Sequence, residues 1–308
     1  MVFPPARLAR FASRQKGILL MVLAGFAFSV MGALVKWSAR SLPIFELVFL
    51  RSLFALVPLL LFFALRRSWP RARSWRLLFL RSAVGVAAIS LLFYAIAHLD
   101  LATATLLNNT SPVFGVLFAI FFLKERVHRA VPALVLVALA GCVLLISPDL
   151  KSAAGSTVAG LAGALSAVLS ALAYTTVREL RRSDHPLDIV FFFTAFNVAI
   201  SAPLLPFSYR MPGAPEWLAM AGAGFAAALA QYALTLALRV ERAAIAVPFA
   251  YTGVLFAALF GYVFWGEVLT PIAMAGGGLV LLAGISISVL AGREKVPPAA
   301  LQGAGEPT

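Results

Sequence analysis

A chain of 308 residues that is 62% hydrophobic and 12% charged, with a mean hydropathy of +0.97, cannot hide its apolar side chains in one water-soluble core. Its net charge of +13 would suit nucleic acid in a soluble protein, but here it is spread between apolar runs. A single cysteine, Cys142, excludes both an internal disulfide and a thiolate metal site.

The runs are near twenty residues long, which at 1.5 Å per residue crosses about 30 Å of hydrocarbon. They predict an all-α integral membrane protein of ten spans, starting with 17–37, 43–65, 74–98, 101–123 and 129–147. After the turn-forming segment "SPDLKSAAGST" come 157–177, 186–207, 215–238, 243–264 and 271–291.

The first span follows Arg7, Arg10, Arg14 and Lys16, as a signal peptide would. Its apolar core is too long for one and no small-residue cleavage site follows, so a retained N-terminus is expected. The span ends at Lys36, which could meet substrate at the outer mouth or sit among headgroups. In the second span Glu46 lies near that same surface, whereas Arg51 lies deeper. A central Arg costs about 2.5 to 3.5 kcal/mol on the insertion scale, so Arg51 is expected to face a cavity rather than lipid, with an ion pair or carbonyl capping as the structural alternative.

The third span is entered from a basic loop, Arg66 to Arg76, that fits topology and contact with anionic lipid better than nucleic acid. Arg81 reads as snorkelling back toward that loop. Phe93 and Tyr94 could stack on a planar substrate. In the fourth span "NNTSP", Asn108 to Pro112, sits at mid-depth, where polar groups must face other helices or water. Asn108, Ser111, Pro112 and Gly115 share a helical face, and Pro112 cannot donate to the carbonyl of Asn108. With Asn109 they offer a free carbonyl, amides and a hydroxyl, for cavity lining or for bonds between helices.

Tyr174 in the sixth span, Asn197 in the seventh, and Gln231 and Tyr232 in the eighth are the other polar groups at useful depth. "GAGFAA" at Gly222 resembles a dinucleotide fingerprint, but no strand precedes it, and close helix packing explains its small residues. In the ninth span Tyr251, Thr252 and Gly253 are the mid-depth counterparts of "NNTSP". Trp265 fits an interfacial belt as well as a stacking role.

A shift of 142 residues superposes Ala102–Glu125 on Ala244–Glu267, with eight of 24 positions identical and Glu closing both copies. The unit is five helices, so the chain divides into a basic segment 1–16, repeats 17–147 and 157–291, a linker 148–156 and a tail 292–308. An odd number of crossings inverts the second copy. With the N-terminus in the cytoplasm, 19 Lys and Arg fall in inside segments and four (Lys36, Arg40, Lys151, Arg210) outside, which agrees with that inversion. Inverted repeats are the architecture of many secondary transporters, with the substrate at the midplane.

The two five-helix repeats, the endings "PVFGVLFAIFFLKE" and "VLFAALFGYVFWGE", and the "KW" closing the first span resemble the EamA-type transporters of the drug/metabolite transporter superfamily. The resemblance covers residues 17–291 and implies a bacterial inner-membrane carrier, with helices 1–4 and 6–9 around a central cavity and 5 and 10 peripheral. Such proteins move amino acids, nucleosides, S-adenosylmethionine, metallophores or drugs. One departure is that Val254 stands opposite Pro112, while Pro248 lies earlier in the second copy.

No HExxH, GxSxG or pair of aspartates at helical spacing occurs, so no catalytic set, metal or cofactor is expected. The expected function is alternating-access transport of a small polar metabolite, with Lys36, Glu46, Arg51, Tyr94, Asn108, Asn109, Ser111, Pro112, Tyr174, Asn197, Gln231, Tyr232, Tyr251 and Thr252 as the candidate cavity residues. An Arg at depth with no carboxylate at a span centre leans toward an anionic cargo. A drug or toxic-metabolite exporter is the alternative, and a lipid flippase or intramembrane enzyme a more remote one. The bilayer is the constant partner. Stripes such as Gly25, Ser29, Ala33 and Gly253, Ala257, Gly261 would serve a homodimer or contacts within one bundle equally.

Overall fold

The computed structural model describes residues 5–122, 129–150, 154–180, 184–207, 209–240 and 249–293. The regular structure it describes is helical: α1 (Pro5–Ser38), α2 (Ile44–Leu65), α3 (Trp75–His98), α4 (Leu101–Asn108), α5 (Ser111–Phe122), α6 (Val131–Leu150), α7 (Ala154–Leu180), α8 (Pro186–Ser201), α9 (Ala214–Val240), α10 (Thr252–Trp265) and α11 (Pro271–Arg293). A 3₁₀ segment, Ala202–Phe207, extends α8. Six of these helices carry stretches long and apolar enough to cross a bilayer alone, and Val131–Leu145, Thr252–Trp265 and Pro271–Ile287 are shorter apolar segments. With the fourth span made of α4 and α5, this is a ten-helix membrane bundle of two inverted five-helix repeats.

The inversion is visible in which helices touch. The first span packs on the eighth (α1 on α9) as the sixth packs on the third (α7 on α3). The first packs on the ninth (α1 on α10) as the sixth packs on the fourth (α7 on α4 and α5). The second packs on the eighth (α2 on α9) as the seventh packs on the third (α8 on α3). The fifth and tenth (α6 and α11) pack on each other. Each contact maps onto its partner when the repeats are exchanged, as a two-fold axis in the membrane plane requires.

Small residues set these distances, because lipid tails supply no hydrophobic drive and association relies on close packing. A Cβ on Gly224 would stand 2.4 Å from Phe54 Cβ and 2.8 Å from the Arg51 carbonyl, so "GAGFAA" is the surface on which α9 approaches α2. Gly25 and Gly253 meet backbone to backbone, and Ser29 Oγ donates to the Gly253 carbonyl at 2.6 Å. Both small-residue stripes are therefore used within one bundle, against each other. Gly141 and Gly276 face each other's carbonyls across α6 and α11.

The fourth span departs from the single helix expected over 101–123. It breaks at Asn109–Thr110 because Pro112 has no N–H for the carbonyl of Asn108, and the N–H of Val113 turns instead to the Thr110 carbonyl at 2.9 Å. Thr110 Oγ1 donates to the Leu107 carbonyl at 2.6 Å, and Thr252 Oγ1, 142 positions on, donates to the Phe249 carbonyl at 2.7 Å. Both repeats thus interrupt their fourth helix at mid-depth with the same side-chain bond. Glu125 and Pro248 lie outside the described residues.

Candidate substrate cavity

The discontinuities face a central cavity of about 180 Å³. Eight spans supply its walls: the first (Met21 to Gly32), second (Arg51), third (Arg81 to Ile96), fourth (Thr105, Asn108, Asn109), sixth (Ser170 to Tyr174), seventh (Phe193), eighth (Gln231, Leu234) and ninth (Ala250, Gly253). Among the described residues none from α6 or α11 lines it, which sets the fifth and tenth helices outside the ring.

Two guanidiniums dominate its electrostatics. Arg51 is 2% exposed and Arg81 6%, and the Nε of each has no described hydrogen-bond partner. Arg81 does not snorkel toward its loop as the sequence implied. It lies along its own helix over Gly85, whose missing Cβ leaves room for the guanidinium, and its Cζ stands 4.0 Å from the centre of the Phe193 ring. The stack of cation on ring holds Arg81 inside the bundle. The described lining contains no Asp or Glu.

The other polar groups of the wall are neutral. Asn108 Nδ2 donates to Ser166 Oγ at 3.1 Å and to Ser170 Oγ at 3.3 Å, which ties the end of α4 to α7 and orients the amide. Thr105 Oγ1 is spent on the Leu101 carbonyl at 2.7 Å. Tyr174 also lines the cavity and keeps 45% of its surface exposed. Met21, Phe28, Met31, Ile89, Leu92 and Leu234 complete the walls with apolar surface.

One turn beyond Gly32 on α1, outside the lining, lies a charged cluster. Lys36, finishing α1, forms an ion pair with Glu267 beyond α10 and donates to the Leu99 carbonyl at 2.5 Å. Glu267 also accepts from the Leu101 N–H at 2.8 Å, and the Lys36 ammonium sits 5.7 Å from the Trp265 ring centre. Gly266 in the left-handed region, φ +67°, turns the chain so that Glu267 folds back over Gly261.

Of the residues expected at the cavity, Arg51, Asn108, Asn109, Tyr174 and Gln231 line it. Lys36 lies outside the lining, in the ion pair with Glu267. Glu46 is buried, with its Oε2 accepting from the Arg210 N–H at 3.0 Å. Tyr94 rests against His98 with ring centres 4.3 Å apart. Ser111 is buried past the helix break, and Pro112 lies beside it outside the lining. Asn197 is fully buried with neither amide atom bonded to a described partner. Tyr232 is exposed on α9, and Tyr251 is buried against Gly284, filling the space a Cβ there would need. Thr252 closes the break below α10. Sequence reasoning missed Arg81, Ser29, Phe193 and Ser170; the signal for Arg81 was Gly85 at i+4, a vacant position on the same helical face.

The model of the EamA-like transporter family matches residues 15–147 and 157–289, nearly the whole bundle and both repeats. The chain belongs to the EamA-like transporter family. The pseudopaline exporter CntI of Pseudomonas aeruginosa is 37% identical over 277 residues, 89% of this chain and 96% of that protein. An uncharacterized transporter of Helicobacter pylori is 30% identical across 89% of this chain and 94% of its own length. A riboflavin transporter of Vibrio cholerae is 26% identical, covering 87% and 91%. A crystal structure with 21% identity superposes with a TM-score of 0.67 over 91% of this chain and 99% of that one, which speaks for the fold alone. This EamA-family protein is therefore a small-molecule transporter and no enzyme.

Proposed function

We propose that the protein is a secondary transporter exporting a small polar metabolite with an anionic group across the bacterial inner membrane by alternating access. The observation that carries this reading is a mid-membrane cavity with Arg51 and Arg81 in its wall and no described carboxylate beside them. A buried guanidinium is unfavourable until a partner satisfies it, and carboxylates or phosphates match its fork of donors. Repeats 17–147 and 157–291, joined by 148–156, are the bodies whose exchange of roles opens one mouth and then the other. With both termini in the cytoplasm, as the charge asymmetry favours, the Lys36–Glu267 end is the outer one and the Tyr174 end faces the cytoplasm. Export is favoured by the pseudopaline exporter among the relatives.

The apolar wall around Phe28 and Leu234 supports a second reading, a drug exporter, which would prefer hydrophobic cations or neutral compounds. A thermal-shift screen of the purified protein against organic anions, zwitterions, cations and common drugs separates the two, since a bound ligand raises the melting temperature by mass action. Stabilisation by anions that Arg51→Gln weakens is the expected result. Stabilisation by cations in wild type and variant alike would remove the anionic reading.

A further inference from the structure

We infer that the cargo carries two carboxylates on a short linker, one received by Arg51 and the other by Arg81; this rests on the anionic reading above. The two arginines come from different helices, α2 and α3, yet line one cavity of about 180 Å³. Each is at least nine-tenths buried, with an Nε that no described group satisfies. Arg81 is held in place by the vacancy over Gly85 and by the Phe193 ring, which marks a built position rather than a side chain caught in passage.

The charge balance requires a second anion. Glu46, on the same helix as Arg51, is outside the lining and its carboxylate accepts from the Arg210 N–H. No other described carboxylate is in the wall. Two like charges in a space shielded from water raise each other's energy, so a monoanion neutralises one guanidinium and leaves the other unpaired. A dianion satisfies both forks.

Volume limits the linker. A cavity of about 180 Å³ suits a compact dianionic portion, for which a short dicarboxylate is the natural probe. Asn108 and Gln231 supply neutral amides for a hydroxyl or amine on that linker, and any larger remainder of the metabolite would extend along Tyr174.

The test is binding of succinate and of butyrate, equal in length but with one charge fewer, to the intact purified protein by calorimetry, with tetraethylammonium as the cation. Wild type should prefer succinate by about tenfold or more, a difference of about 1.4 kcal/mol. Arg51→Gln and Arg81→Gln should each bring the ratio near one while retaining butyrate, and Arg81→Lys should keep part of the preference. Retained butyrate binding shows that a variant is folded. Equal wild-type affinity for both acids, lost in Arg51→Gln, would overturn the two-carboxylate inference and leave the anionic reading standing. Binding of tetraethylammonium with neither acid bound would overturn both.

Discussion

Lys36 and Glu267 form an ion pair that joins the first span of one repeat to the ninth span of the other. Their side chains are 12% and 13% exposed, and the pair is completed by the Leu99 carbonyl and the Leu101 N–H at the turn between the third and fourth spans. One acid–base pair therefore ties three chain segments, and separating them at this end requires breaking it. The same shift of 142 residues that relates Glu267 to Glu125 relates Lys36 to Arg178, so the sequence repeats the order of base and acid.

Glu267→Gln should accordingly loosen this end. A largely buried Lys left without its carboxylate is unfavourable by about several kcal/mol at most, since the site keeps some contact with water. With Cys142 replaced by Ser and Thr105 by Cys, a membrane-impermeant thiol reagent applied from outside should label the cavity several-fold faster in Glu267→Gln than with Glu267 in place. An unchanged labelling rate in the single variant would show that this pair does not hold the end shut.

Gly85→Ala should impair binding more than folding. The added Cβ would stand 2.5 Å from Arg81 Nη1 and 2.6 Å from Phe193 Cε2. Both neighbours are side chains that can shift, so the bundle survives while the guanidinium moves off its ring. The expected outcome is a melting temperature within a few degrees of wild type and anion affinity lowered about tenfold or more, the scale on which loss of a well-placed charged contact is felt. Full affinity in Gly85→Ala would mean that the position of Arg81 does not matter.

Most of the fold was legible because lipid permits so few solutions: a run of twenty apolar residues has to be a helix, and an odd repeat has to invert. The site was legible only where a charge had no other excuse. Arg51 stood deep in an apolar run and could only face inward. Arg81 stood close enough to a basic loop for snorkelling to be the cheaper expectation, and it is the room over Gly85 and the ring of Phe193, 108 positions further along the chain, that turn it inward. Tyr251 illustrates the reverse: one residue from Thr252 at the helix break, it turns away to Gly284 because a break redirects successive side chains in ways that periodicity does not predict. Pro112 marked the missing donor in the fourth span, but only the hydrogen bonds of Thr110 and Val113 show that the helix parts there.

Gly224→Ala should act on stability. Its Cβ would meet Phe54 Cβ at 2.4 Å, the Ala55 nitrogen at 2.7 Å and the Arg51 carbonyl at 2.8 Å, and two of the three are backbone atoms that cannot give way without moving α2. Overpacking of this kind costs about 1 to 3 kcal/mol. The melting temperature in detergent should fall clearly, whereas Gly278→Ala, which meets nothing within 4 Å, should leave it unchanged. Similar melting of both variants would show that α2 and α9 do not depend on this contact.

The inverted arrangement itself predicts opposite accessibility for two exposed loops. Trp69, in the basic loop between α2 and α3, is 76% exposed, and Arg210, between α8 and α9, is also exposed. Five spans separate them, so they belong to opposite faces of the membrane, and the positive-inside bias predicts a cytoplasmic loop of Arg66 to Arg76. In a Cys142→Ser background, Arg210→Cys should react with an impermeant maleimide in intact cells, and Trp69→Cys only after permeabilisation. Glu46 accepts from the backbone N–H at position 210 rather than from its side chain, so the cysteine replacement leaves that anchor in place. Labelling of both positions from outside would put the two loops on one face, and a bundle of five-helix inverted repeats could not produce that result.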